Sequence, residues 1–396
     1  MSIAPTEGLA HDVDIKSKTA ALTAAEARPQ NGGEIVTDFM LAKEILRSPD
    51  VVQAARGADQ IRKITPPEHL SVFFLDGEMH KKRRGQIARF FTPKAMKTRY
   101  RAVMDSSTEK LVARLRKSGR EQLDQLSFEL ACDVASMIVG LTNSNSRKMA
   151  LRIRASFVTL NAVPKNPISL FFFRLDKVFR QLLVLWLDVL PAIKARKKER
   201  QDDVISLLLD EGFSTKSIFI ECQTYASAGM MTTREFIVLA CWQLLENPEL
   251  KERFLNGDER TQFAILEEFI RLDPVVTFVH RRAENDFTVP TGEEIKGGEF
   301  YTVDLRAANR DVGVVGEDPE HFDINRAARQ NMSSSWMIFG DGPHRCPGAQ
   351  VALHETRVFL DGLLRVPGIR LANPPKPTWT GTTYELHGAF IECDKA

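Results

Sequence analysis

The sequence predicts a mainly α-helical chain with a small β portion, an α+β fold. Apolar residues recur at helical spacing over long stretches, from Ala102 to Leu141, from Ser214 to Glu246 and from Ala349 to Leu363. Strand-like text is confined to short pieces: Glu34-Ile35-Val36-Thr37, Val275 to Val279, and a hairpin over 381–388. With 396 residues and 43% hydrophobic content the chain buries a large core, and no break in composition marks a linker.

Charge and cysteine usage exclude several classes. A net charge of +2 does not argue for nucleic acid, and runs such as Lys81-Lys82-Arg83-Arg84 read as solvated helix faces. The longest apolar stretch, Gln181 to Ile193, contains Asp188 and Pro191 and falls short of a membrane span. Five scattered cysteines without a C-x-x-C pair, behind a start that lacks a charged-then-apolar signal segment, fit a reducing compartment, so a cytoplasmic monomer is expected.

Taken in order, residues 1–33 are polar, alanine-rich and weakly patterned, so a loosely docked segment is expected there. Glu34 to Thr37 is a short strand; Asp38 caps a helix from Met40 to Arg47 that Ser48-Pro49 stops. Arg56 to Phe74 reads as a long functional loop, and Asp76-Gly77-Glu78-Met79-His80 opens a basic helix on which His80 and Arg84 share a face. The aromatic-rich text from Ser156 to Leu190, with Phe171, Phe172, Phe173, Phe179 and Trp186, is expected to be mostly core, part of it near a pocket. Ser214 to Glu246 supplies a central helix carrying Ala228-Gly229-Met230-Met231-Thr232-Thr233. Thr261 to Arg271 is a helix with Glu268 and Arg271 three apart.

Phe339-Gly340-Asp341-Gly342-Pro343-His344-Arg345-Cys346-Pro347-Gly348 is the most specific stretch. Glycines and proline make a tight turn whose bare backbone can approach a flat ligand, and the following helix turns its positive end and amide donors toward one sulfur. A buried structural thiol is the commoner reading of such a cysteine alone. Phe339, Gly342, Cys346 and Gly348 stand, however, at the spacing F-x-x-G-x-x-x-C-x-G, which resembles the cytochromes P-450, the haem-thiolate monooxygenases, in their bacterial form.

The resemblance runs from about Glu34 to Gly388 and implies a single catalytic domain over 34–396, haem b between the central helix and the cysteine loop, and Cys346 as iron ligand. It implies that His80 and Arg84 hold a propionate together with Arg281 of His280-Arg281-Arg282, strand alternation sending only one of the two arginines inward. His344, Ala228 and Gly229 belong to the same cofactor-binding set. Glu268, Arg271 and Arg326 would form a structural ionic network. Thr232, with Thr233 beside it, matches the family's oxygen-activating threonine, but Met231 stands where the family carries a carboxylate, and a thioether relays no proton.

The implied reaction is insertion of one oxygen atom from O2 into a lipophilic small molecule, with electrons from a ferredoxin-type partner. Arg84, Arg89 and Arg345 would face that partner, and Phe73, Phe74, Ala228, Val275, Val276, Phe278 and Thr383 are the substrate-pocket candidates. Met231 keeps a peroxide-driven or non-oxygenating haem-thiolate enzyme as an alternative, and a non-catalytic haem-binding sensor is a further one.

Overall fold

The computed structural model describes residues 15–26, 33–55, 58–157, 166–332 and 336–395. Helices carry most of it. The β portion includes a four-stranded sheet in the order Glu34–Val36, Phe300–Asp304, Phe278–Ala283, Val51–Gln53, with the first pair parallel and the others antiparallel. Its register sets Arg281 beside both Gln53 and Tyr301.

The central helix is built in three parts: Thr215–Tyr225, a π turn Ala226–Met231, and Thr232–Glu246. Its last part is buried on nearly every face, including Phe236, Ile237, Val238, Leu239, Ala240 and Cys241. It packs against Leu123–Val139 and against Ala349–Leu364, the helix that follows the cysteine loop. Burying a helix all round requires an apolar sequence all round, which Phe236 to Leu245 supplies.

Several expectations change. Residues 15–26 are docked rather than loose: Ile15 and Thr19 are buried, and the Ser17 and Thr19 hydroxyls donate to Asp273 at 2.5 and 2.7 Å. Residues 1–14 and 27–32 lie outside the described chain. The long loop contains a helix, Ala58–Ile64, and two 3-10 turns, Pro67–His69 and Val72–Phe74. The strand expected at Val275 to Val279 begins later, at Phe278, and runs to Ala283; Val276 instead forms an isolated bridge to Thr383.

The aromatic stretch expected as core also differs. On Pro167–Val184, Ile168, Phe171, Phe172, Leu175, Val178 and Phe179 are each at least half exposed, as is Trp186 beyond it. Their spacing of three and four gives one apolar helix face, but the face packed inward is the opposite one, where Gln181 Nε2 donates to the Ser156 carbonyl and Val184 is buried. Among the described residues, no helix is long and apolar enough to cross a membrane.

Candidate active site

The cysteine loop is held against the helix Phe39–Arg47. Gly342 has φ +67, and a Cβ there would stand 2.0 Å from the Leu46 carbonyl oxygen, so glycine is required for the approach. Arg47 donates to both oxygens of Asp341 at 3.1 Å. The Cys346 amide donates to the Phe339 carbonyl at 2.9 Å, which closes the loop. Gly348 then caps the helix Ala349–Leu364.

Cys346 is the one partly exposed cysteine of the five; Cys132, Cys222, Cys241 and Cys393 are buried. Burial pushes its thiol up, and the Gly348 amide, Arg84 and Arg345 pull it back only in part. The expected thiolate preference therefore does not come from the loop alone. Desolvation outweighs the donors, and a sulfur in this setting ionises when a cation sits on it, as a metal would.

Four basic groups from three elements meet beside that loop. His80, on Gly77–Ala88, is buried and stacks with His344 at 4.1 Å between ring centroids. Burial, then the charges of His344, Arg84 and Arg281, bring the His80 imidazole down to about 4. Arg281 is the inward arginine, 4% exposed, brought down to about 10 by burial, while Arg282 pairs outside with Asp59 and Glu284. His344 is lowered by burial despite a hydrogen bond to Asp76. Arg84 Nη2 donates to the Arg345 carbonyl at 2.6 Å, and its guanidinium acts electrostatically on both Cys346 and Tyr225. Arg84 thus ties the basic helix to the cysteine loop. His80 and Arg281 are buried and Arg84 and His344 half-buried, and bases packed this closely are completed by an anion.

The π turn opens one side of the central helix. Ala226 and Met230 are buried, whereas Ser227 and Ala228 are exposed, and a Cβ on Gly229 would meet nothing within 4 Å. Such turns frequently mark functional sites. The Thr232 hydroxyl donates to the Ala228 carbonyl at 2.7 Å, which leaves its oxygen as an acceptor. Met231 is half-buried against the core, and Thr233 is buried.

The remaining predicted residues fall in two groups. Arg271 donates to both oxygens of Glu268 at 2.7 and 2.8 Å, and Arg326 Nε lies 3.5 Å from Glu268; all three are buried. Of the pocket candidates, Val276 and Thr383 are paired, Phe278 lies edge-on to Trp379 at 5.5 Å, and Val275 is buried. Phe73 is 38% exposed and meets Phe74 edge-on at 5.1 Å. Phe74 also lines a cavity of about 240 Å³ with Val52, Leu70, Met79 and Arg62, on the Asp76 side of the loop.

Sequence reasoning gave no role to Asp76, Gln53 or Glu355. Glu355, on the helix after Cys346, is buried with its carboxyl pushed well above the usual range by burial, which Thr233 opposes only in part. Glu355 stands at helical spacing with the apolar residues Val351, Val358 and Phe359, and that placement was the available signal.

The Cytochrome P450 family model matches residues 34–256 and 263–366. The chain belongs to the cytochrome P450 family. It is thereby a monooxygenase of the P450 type, and the family implies a haem cofactor. Nocardicin C N-oxygenase of Nocardia uniformis is 25% identical over 81% of this P450 and 79% of its own length. Mycinamicin IV hydroxylase/epoxidase of Micromonospora griseorubida is 33% identical over 46% of each chain. The substrate-free CYP109E1 structure from Bacillus megaterium has the same fold, with a TM-score of 0.78 at 23% identity over 96% of this P450 and 98% of that chain.

The residues present fit a haem. A cysteine sulfur that wants a cation and a group of bases that wants carboxylates lie together, joined by the Arg84 hydrogen bond to the cysteine loop and by the stacked rings of His80 and His344.

Proposed function

We propose that this P450 binds haem b and inserts one oxygen atom of O2 into a lipophilic small molecule, the second oxygen leaving as water with two protons and two electrons from a ferredoxin-type partner. The observation that carries this reading is the meeting of Cys346 with His80, Arg84, Arg281 and His344. A cysteine-ligated haem supplies O–O cleavage and oxygen transfer.

The chain's own part is to bind, orient and hold protons. Cys346 would be the metal ligand, with Phe339, Gly342 and Gly348 shaping its loop. His80, Arg84, Arg281 and His344 would neutralise the propionates. Ala228 and Gly229 would let the central helix pass close over the macrocycle. Thr232 offers its oxygen to a hydrogen bond from bound water or substrate, and behind Thr233 lies Glu355, whose carboxyl burial pushes well above the usual range. Glu355 would then stand in as the acid for the carboxylate absent at Met231. Val275, Val276, Phe278, Phe73, Phe74 and Thr383 would give the substrate an apolar wall. Arg345, exposed beside Cys346, and Arg89, near Asp202, present positive charge to an acidic electron donor.

The test is the reduced carbonyl spectrum of the purified protein, together with reductant- and O2-dependent product formation. Cys346→Ala is expected to abolish the thiolate-type spectrum; its survival would overturn the ligand assignment. Met231 favours a second reading, in which peroxide replaces O2 and reductant, and turnover with peroxide alone at the rate of the reductant-driven reaction would establish it.

A further inference from the structure

The first part of the central helix carries polar residues that the proposed chemistry does not use. Ser217, Glu221 and Thr224 are spaced by four and three, so they share a face, and Ala228 continues that face into the π turn. All three grip one stretch of the loop before the basic helix. Ser217 Oγ lies 3.1 Å from His69 Nδ1. Glu221 Oε1 accepts the Val72 amide at 3.0 Å, and its Oε2 accepts the Ser71 hydroxyl at 3.4 Å. The Thr224 hydroxyl donates to Ser71 Oγ at 2.8 Å.

These contacts join residues about 150 apart in sequence (149 for Glu221 to Val72) and are closed from behind. Arg83 Nη1 stands 3.6 Å from Glu221, and its guanidinium lies 4.2 Å over the Phe213 ring, whose edge also meets His69. Ser217, Glu221 and Ser71 are each 2% exposed or less. Burying a carboxylate in a helix interface is costly unless every lone pair is used, and here the partners come from the loop and the basic helix. The segment so held is the 3-10 turn Val72–Phe74, capped by Ser71, and it contains Phe73 and Phe74.

We propose that Ser217, Glu221 and Thr224 are positioning residues for substrate binding: they latch the Ser71–Phe74 turn to the central helix, set Phe74 in the cavity wall with Phe73 against it, and open the way in when they let go. The proposal rests on the reading of Phe73 and Phe74 as pocket residues. Glu221 is the centre of the latch because it alone reaches the backbone of the turn, Arg83 and Ser71 together.

The test uses the ferric holoenzyme with 4-phenylimidazole as probe, its association followed by stopped-flow absorbance, and amide hydrogen exchange followed in parallel. In Glu221→Ala the Val72 and Phe73 amides are expected to exchange about tenfold faster, and probe association to quicken about fivefold or more, the size expected for losing two buried hydrogen bonds. Glu221→Gln, which keeps an acceptor for the Val72 amide, should restore most of both. Should Glu221→Ala fail to fold, Thr224→Val with Ser71→Ala is the second variant, with the same expected directions at smaller size. Unchanged exchange overturns the latch. Faster exchange with unchanged probe rates overturns its place on the substrate route. Both are separate from the proposed function, which the wild-type carbonyl spectrum tests.

Discussion

Asp76 Oδ1 lies 3.0 Å from His344 Nε2, so the carboxylate that precedes the basic helix braces a ring two residues from Cys346. The same carboxylate accepts from the Gln53 amide at 3.1 Å and from Arg62 Nη2 at 2.6 Å. Gln53 Oε1 in turn accepts from Arg281 Nη1 at 2.6 Å. Burial works against the ionised form of Asp76, but His344, Gln53 and Arg62 together hold its carboxyl below the usual range. One acid and one amide therefore fix two of the four bases proposed to hold the propionates.

Asp76→Ala should loosen the cofactor without changing its ligand. Removing the acceptor frees His344 and Arg62, and each charge-assisted hydrogen bond is worth about 1.5–3 kcal/mol. Haem transfer to excess apomyoglobin is expected to speed up roughly tenfold while the thiolate-type carbonyl spectrum persists. Asp76→Asn, which keeps one acceptor, should fall between. Transfer at the wild-type rate in Asp76→Ala would show that the brace carries nothing.

Arg271 makes the other dense network. Besides Glu268 it donates to the carbonyls of Asn309, Pro319 and His321, and Arg326 donates to those of Val315, Glu317, Asp318 and His321. The two guanidinium forks thus tie the helix Glu259–Leu272 to the stretch leading to the cysteine loop. Arg271→Lys keeps the charge but cannot reproduce the fork, and breaking a buried pair costs about 3–5 kcal/mol. Urea denaturation should show that loss, or expression should yield little folded protein. A midpoint within 0.3 M of wild type would contradict the role; that margin is about 1 kcal/mol or less at ordinary m-values.

Much of this was legible in the sequence because it is local. Gly342, Cys346 and Gly348 are required by one turn, Glu268 and Arg271 by one helix face, and alternation narrowed the inward arginine to Arg281 or Arg282. The choice between those two needed Gln53 opposite Arg281 in the sheet register. Asp76, Glu221 and Glu355 act only through partners brought near by the fold, 268 residues away for His344 and 149 for Val72, and no spacing rule carries that. The phenylalanines of Pro167–Val184 show the same limit: their period gives a face, and only packing decides which way it points.

Glu235 should give the fold a measurable pH dependence. Its carboxyl is buried, and desolvation, opposed by Arg234 and the Leu386 amide, brings it up to about 8 from 4.5. The folded chain then holds a proton that the unfolded chain has released over that interval, so this stabilisation is complete below 4.5 and is lost as the pH rises toward 8. Glu221, brought up to about 7 by burial, adds in the same direction. Urea midpoints should fall between pH 6 and 8.5, and fall less in Glu235→Gln, whose amide is neutral throughout. Parallel slopes for the two proteins would remove Glu235 from the account.

Met231 sets the sharpest test of how protons reach the site. Thr232 offers an oxygen there, the usual carboxylate is missing, and Glu355 stands behind Thr233 with its carboxyl pushed well above the usual range by burial. If Glu355 stands in for that carboxylate, Glu355→Gln preserves the neutral, buried shape but removes the exchangeable acid. Product per electron consumed should drop roughly tenfold or more, the ordinary size of a general acid–base contribution, with hydrogen peroxide rising in proportion. Thr232→Ala should shift electrons to peroxide in the same way. Adding Met231→Asp to Glu355→Gln should restore coupling, because it places an acid where the family keeps one. Coupling unchanged in Glu355→Gln, with Met231→Asp alone raising it, would mean that the native helix lacks a protein acid and that protons come from water or substrate.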